Sequence, residues 1–265
     1  MKFSPLKIAA TLAVLASTAS FAQTKAPEPD YTLAYSAGIV NDYRFRGIAQ
    51  TAFKPALQLT ADFNHKSGFY LGAFGSNVNW IKDFNGATKG SYEVDLYGGY
   101  KGSITKEFGY DVGLITYIYP GNTSGGANAS LGLPAGVFAN ANTTELYGAL
   151  SYNMFTAKYS RSTGTFLGFL NSPGSQYLDL SANFDVGSGF TVTPHIGRQT
   201  VKGQNGLADY TDYSVTLAKD FGNGLSATGA LIATNTKKGN GTVYRDFNNK
   251  DLGKSTVVVG LKYSF

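Results

Sequence analysis

The stretch that most limits what this chain can fold into is Lys254–Phe265, KSTVVVGLKYSF. Val257, Val259, Leu261, Tyr263 and Phe265 alternate there with Thr256, Val258, Gly260, Lys262 and Ser264. Successive side chains of a strand point to opposite faces, so one face is wholly apolar and the other mostly small or polar. A soluble sheet has little use for an apolar flank that ends on phenylalanine. A closed barrel in a bilayer does, because its last strand must pair with its first and show lipid an apolar face. The alternation predicts that Val257, Val259, Leu261, Tyr263 and Phe265 face lipid. In such a barrel this strand is also what the barrel-assembly machinery would engage.

Composition agrees with alternation. Charged residues are 15%, against roughly 25% in soluble domains, yet mean hydropathy is only −0.12. Aromatic residues reach 14% and glycines number 33. The start reads as an export signal over 1–22: Lys2 and Lys7, an apolar run from Ile8 to Ala16, then Ser20-Phe21-Ala22 at the cleavage positions. That run is too short to cross a bilayer of roughly 30 Å as a helix. Residues 23–30 (QTKAPEPD) form an expected short periplasmic leader, and 31–265 the barrel domain. Removing Lys2 and Lys7 leaves 20 bases against 17 acids. A net charge of +3 is no argument for nucleic acid.

Alternation begins at Tyr31, with Leu33, Tyr35, Ala37 and Ile39 on one face. Further strands are expected near 55–64, 68–78, 91–101, 107–118, 143–152, 155–161, 176–186, 189–200, 211–220, 224–235 and 254–265. The fold class is therefore all-β: a transmembrane antiparallel up-and-down barrel of about 12 strands, an even number as bacterial barrels have. Tight turns at Lys66-Ser67-Gly68, 102–106, Asn153-Met154, Gly187-Ser188-Gly189 and Gly222-Asn223-Gly224 alternate with long links at 47–54, 79–90, 119–142, 162–175, 201–210 and 236–253. Antiparallel strands then gather every short turn at one end and every long loop at the other, the asymmetry of outer-membrane barrels.

Parity from Phe265 assigns the faces. Leu146 and Leu150, Leu178 and Leu180, and Val215 and Leu217 point outward. Glu93, Asp95, Glu145, Asp179 and Asp212 point inward, in the half nearest the long loops. One charge on the lipid face costs on the order of 2–4 kcal/mol at midplane, so this sorting carries weight.

The first strand runs on into Asn41-Asp42-Tyr43-Arg44-Phe45-Arg46-Gly47. Continuing its phase sends Tyr43 and Phe45 outward into an aromatic belt and Asp42, Arg44 and Arg46 into the mouth. Two readings stay open for these charges. Opposed rings of acid and base would select solutes by charge. Alternatively the charges pair with one another, fill a narrow barrel and hold its rim rigid.

The run NDYRFRGIAQTAFKPALQ, Asn41 to Gln58, followed by SGFYLGAFGSNVNW, Ser67 to Trp80, resembles the TorF family of outer-membrane porins. Asp42, Tyr43, Arg46, Gly47, Gln50, Thr51, Pro55 and Ala56 match that family's pattern; Asn41 and Ala49 stand where serine is usual. The resemblance implies an exported bacterial outer-membrane barrel with a porin-like role and names no solute.

Enzymatic chemistry has little support. His65 falls at a short turn and His195 points into the lumen, so neither serves as a base for a lipid hydrolase at the membrane face. No catalytic residue, cofactor or metal is expected: cysteine is absent, and Asp246–Asp251 lacks the glycine and glutamate of a calcium loop. The expected function is passive diffusion of small hydrophilic solutes across the outer membrane. A non-conducting structural or adhesive barrel, binding through its loops, is the alternative.

Overall fold

In the computed structural model, residues 29–239 and 242–265 are described. The signal peptide expected over 1–22 and most of the expected leader lie outside them. The staves are β1 (Tyr31–Val40), β2 (Ala56–His65), β3 (Phe69–Asn77), β4 (Tyr92–Ser103), β5 (Phe108–Ile118) and β6 (Thr143–Tyr152). There follow β7 (Phe155–Ser162), β8 (Gln176–Ala182 continued by Phe184–Gly187), β9 (Phe190–Thr200), β10 (Tyr210–Gly222), β11 (Leu225–Thr234) and β12 (Thr256–Ser264). All neighbours are antiparallel and follow chain order. β1 closes on β12 with Ala37 opposite Tyr263 and Ile39 opposite Leu261. The result is a closed 12-strand barrel with no free edge.

The sequence periodicity maps directly onto this wall. Leu33, Leu57, Leu71, Leu96, Leu146, Leu180, Val215, Leu231, Val257, Val259, Leu261, Tyr263 and Phe265 all project outward and are exposed. A continuous apolar exterior is unfavourable in water and is what a hydrocarbon surround requires. Short turns obey hairpin rules: Asn223 and Gly224 both take positive φ, 50° and 82°, as a two-residue type I′ turn demands.

The long-loop end has its own core. A short helix, α1 (Trp80–Asp83), drops Trp80 and Ile81 into a cluster with Val78, Ala87, Tyr117, Tyr119 and Ala141. A second cluster joins Ile48 and Ala49 to Phe166, Phe169, Tyr210, Tyr244 and Leu252. Phe84 bridges them, lying parallel to Tyr244 and tilted against Phe169 and Phe138. The link 119–142 is built into this cap: Asn128 donates from Nδ2 to Gly86 O at 2.8 Å, and Ser124 Oγ donates to Ala139 O at 2.7 Å.

Candidate functional site

The chain leaves the wall after Val40, earlier than the sequence pattern predicts. Asn41 ends the ladder: its N–H donates to Val259 O at 3.1 Å, and its Oδ1 accepts from Val259 N–H at 2.9 Å. Beyond it Arg44–Phe45 pairs with Ile48–Ala49 in a hairpin folded into the barrel mouth. Its two-residue turn is Arg46-Gly47, with φ of 48° and 79°. Gly47 is needed twice, since a Cβ there would lie 2.7 Å from Thr234 Cγ2 and 2.8 Å from Asp212 Cβ. Arginine in this left-handed conformation costs about 1–2 kcal/mol, a strain that its side-chain contacts must offset.

Those contacts cross the lumen. The Arg46 guanidinium donates to Glu145 Oε2 at 2.6 Å and Oε1 at 3.0 Å on β6, and to Gln199 Oε1 at 2.8 Å on β9. It lies 4.2 Å from the ring centre of Tyr177 on β8 and 4.7 Å from that of Phe45. Glu145 and Gln199 are each 1% exposed. Burial alone would lower the pKa of Arg46, but the Glu145 carboxylate outweighs it and holds the guanidinium above its ordinary value. Arg44 turns the other way: Nε donates to Asp42 Oδ2 at 2.7 Å, and Nη1 to the carbonyls of Gly47 and Leu252 at 2.9 and 3.0 Å. Burial pushes the Asp42 carboxyl up, and the Arg44 charge opposes that.

Tyr43 and Phe45 are the correction to the sequence reading. Both point into the barrel, not to lipid. Tyr43 donates its hydroxyl to Glu93 Oε1 at 2.6 Å and packs on Phe74. Phe45 meets Tyr117 edge-on. Burial, then the Glu93 charge, raises the Tyr43 phenol well above its usual range, so it remains a donor.

The eight inward charges expected near the mouth all lie in this upper half, but their partners divide them. Asp42 and Arg44 pair with each other, so Arg44 faces no acid across the mouth. Arg46 and Glu145 pair across the lumen. Asp179 meets His195 Nε2 at 2.9 Å, while Asp212 accepts from Tyr177 at 3.0 Å and lies 3.5 Å from His195 Nδ1. Tyr177 reaches Asp212 because Gly197, between them on β9, leaves room for the phenol. Asp95 is buried, and its Oδ1 has no partner among the described residues. The pairing reading thus describes the mouth better than opposed open rings.

Beneath the hairpin a cavity of about 390 Å³ is lined by Arg46, Lys158, Tyr177, Asp179, His195 and Asp212. Nearer the short turns the lumen opens to about 620 Å³ among Ser36, Gln58, Thr60, Thr191, Thr228 and Lys262. Above the hairpin, Phe45, Trp80, Phe84, Phe166, Tyr210 and Tyr244 enclose an apolar void of about 40 Å³. A shaft lined by polar side chains is therefore closed at one end by a plug and an aromatic cap. Gln199 and Tyr177, central to the plug's seat, were readable as inward by parity; nothing in the sequence tied them to Arg46.

The closed, outward-apolar and inward-polar wall defines the chain as a β-barrel of the membrane-spanning kind. Residues 24–265 match the family described as "Bacterial protein of unknown function (Gcw_chp)", and the chain belongs to that family. No curated protein matches it. Among solved structures it is similar to the KdgM porin in complex with disordered oligogalacturonate, at 10% identity over 88% of this chain and 98% of that one, with a TM-score of 0.52. It is also similar to the NanC porin, at 10% identity over 88% and 99%, again with a TM-score of 0.52. At such identity the likeness is one of fold.

Proposed function

We propose that the protein is a channel of the Gram-negative outer membrane through which small hydrophilic solutes diffuse along the charged lumen. The observation that carries this reading is the polar shaft inside an apolar wall, about 620 Å³ at its wider end. Water and polar solutes have no comparable path through lipid. The structures of similar fold are porins, one of them in complex with disordered oligogalacturonate, and the Asn41–Trp80 run resembles the TorF porins. Asp42, Arg44, Arg46, Glu93, Asp95, Glu145, Asp179 and Asp212 are the proposed mouth and pore-lining residues. The outward residues of β12 are the proposed contact with lipid and with the barrel-assembly machinery. His195 is held between two carboxylates inside the lumen, which supports a role in the wall over one in catalysis.

The plugged mouth favours a second reading, a non-conducting barrel whose loops bind partners outside. Proteoliposomes separate the two. With channel activity, vesicles bearing the purified protein swell in isotonic small sugars or amino acids faster than protein-free ones. Equal swelling supports the closed barrel.

A further inference from the structure

The seat of Arg46 is made by the wall, while Arg46 itself arrives on an inserted loop. Glu145, Gln199 and Tyr177 belong to β6, β9 and β8, three staves fixed by continuous ladders. Together they present a carboxylate fork, an amide oxygen and an aromatic face, each at most 5% exposed. That set suits a flat, delocalised cation: the fork matches two parallel N–H donors, and the ring takes the planar face. The seat also lies directly above the 390 Å³ cavity, which Arg46 and Tyr177 help to line. A solute moving up the shaft meets it before anything else can pass.

We infer that this seat is a binding site for guanidinium-bearing cations, which Arg46 occupies as a tethered substitute when the plug is closed. Such a solute and the plug compete for the same acceptors, so its binding stabilises the unplugged barrel. The inference rests on the channel reading for its transport consequence, though the binding site itself does not. A group on a short flexible tether has an effective concentration of about millimolar; Arg46 sits on a hairpin packed at Ile48 and Ala49, so that value is a lower bound and free guanidinium competes from there upward. At tenfold over its Kd it lowers the plugged-to-unplugged ratio about elevenfold.

The test is chemical rescue in Arg46→Ala with guanidinium chloride at low millimolar concentration, tetramethylammonium chloride serving as the ionic control. In detergent, guanidinium should raise the thermal unfolding temperature of Arg46→Ala in a saturable way, and tetramethylammonium should not. The further change Glu145→Gln in that variant should abolish the response. In bilayers, guanidinium should raise the open probability of the unsubstituted protein. Equal responses to the two cations, or a response that survives Glu145→Gln, overturn the site. Stabilisation without conductance in any variant keeps the site and overturns the channel reading.

Discussion

Gly47→Val should unseat the plug while leaving the barrel intact. Two costs add. A branched residue at φ 79° pays about 1–2 kcal/mol for the left-handed conformation. Its Cβ would also sit 2.7 Å from Thr234 Cγ2 and 2.8 Å from Asp212 Cβ, both on the wall, and relieving such overlap typically costs about 1–3 kcal/mol. The total, about 2–5 kcal/mol, shifts the seated-to-unseated ratio by roughly 30-fold to a few thousandfold, at about 1.4 kcal/mol per tenfold. Opposing it are the three charge-assisted hydrogen bonds of Arg46, each about 1.5–3 kcal/mol, which net of the strain of about 1–2 kcal/mol at Arg46 itself come to about 2.5–8 kcal/mol, so the two ranges overlap. The readout is built in. Trp80 is the single tryptophan; it is buried in the mouth cap, and its backbone N–H donates to Gln50 O just beyond the hairpin. Unseating should red-shift its emission and raise acrylamide quenching, with the heat-modifiable mobility of the folded barrel unchanged. Native emission and quenching in a folded Gly47→Val barrel would refute the reasoning.

Other substitutions probe separate parts of the account. Leu180→Arg puts a charge on the lipid face at a cost on the order of 2–4 kcal/mol and should impair assembly, whereas inward Ser181→Arg is tolerated; equal yields of heat-modifiable protein would contradict the assigned faces. Glu145→Gln strands a buried guanidinium and should destabilise the closed mouth by about 3–5 kcal/mol. Asp95→Asn, which removes a buried carboxylate with an unpartnered oxygen, should cost nothing; denaturant titration followed by Trp80 emission compares them. Tyr244→Phe loses the 2.6 Å bond to Ala208 O and should weaken the cap by about 0.5–1.5 kcal/mol, measured the same way.

The wall was legible because lipid enforces one rule on every stave. Leucines and valines at alternate positions sort outward, acids sort inward, and the alternation of short and long links fixes the topology. The plug was not legible, because Tyr43 and Phe45 continue the period-two pattern of β1 beyond the point where the strand ends. Their destination is set by partners far along the chain, Glu93, Phe74 and Tyr117. The local signal was there in Arg46-Gly47, a glycine-bearing pair able to make a tight hairpin turn, and in Asn41, a side chain suited to ending a ladder. Neither outweighs periodicity when read alone. Glu93, Asp95, Glu145, Asp179 and Asp212 lie on staves whose parity turns them inward, whereas Asp42, Arg44 and Arg46 lie beyond the end of β1, where parity has no hold. The pairing of these charges was not legible, since Arg46 and Glu145 meet across 99 residues of sequence and only closure of the barrel brings β6, β8 and β9 around one guanidinium.

The central claim is that a polar, solute-passing shaft lies behind a removable plug. Single-channel recording in planar bilayers tests it most directly, with the purified protein and Gly47→Val compared in the same salt. The account predicts discrete conductance steps in both, with a larger open fraction in the variant. No steps from either, in bilayers where heat-modifiable protein has inserted, would contradict it.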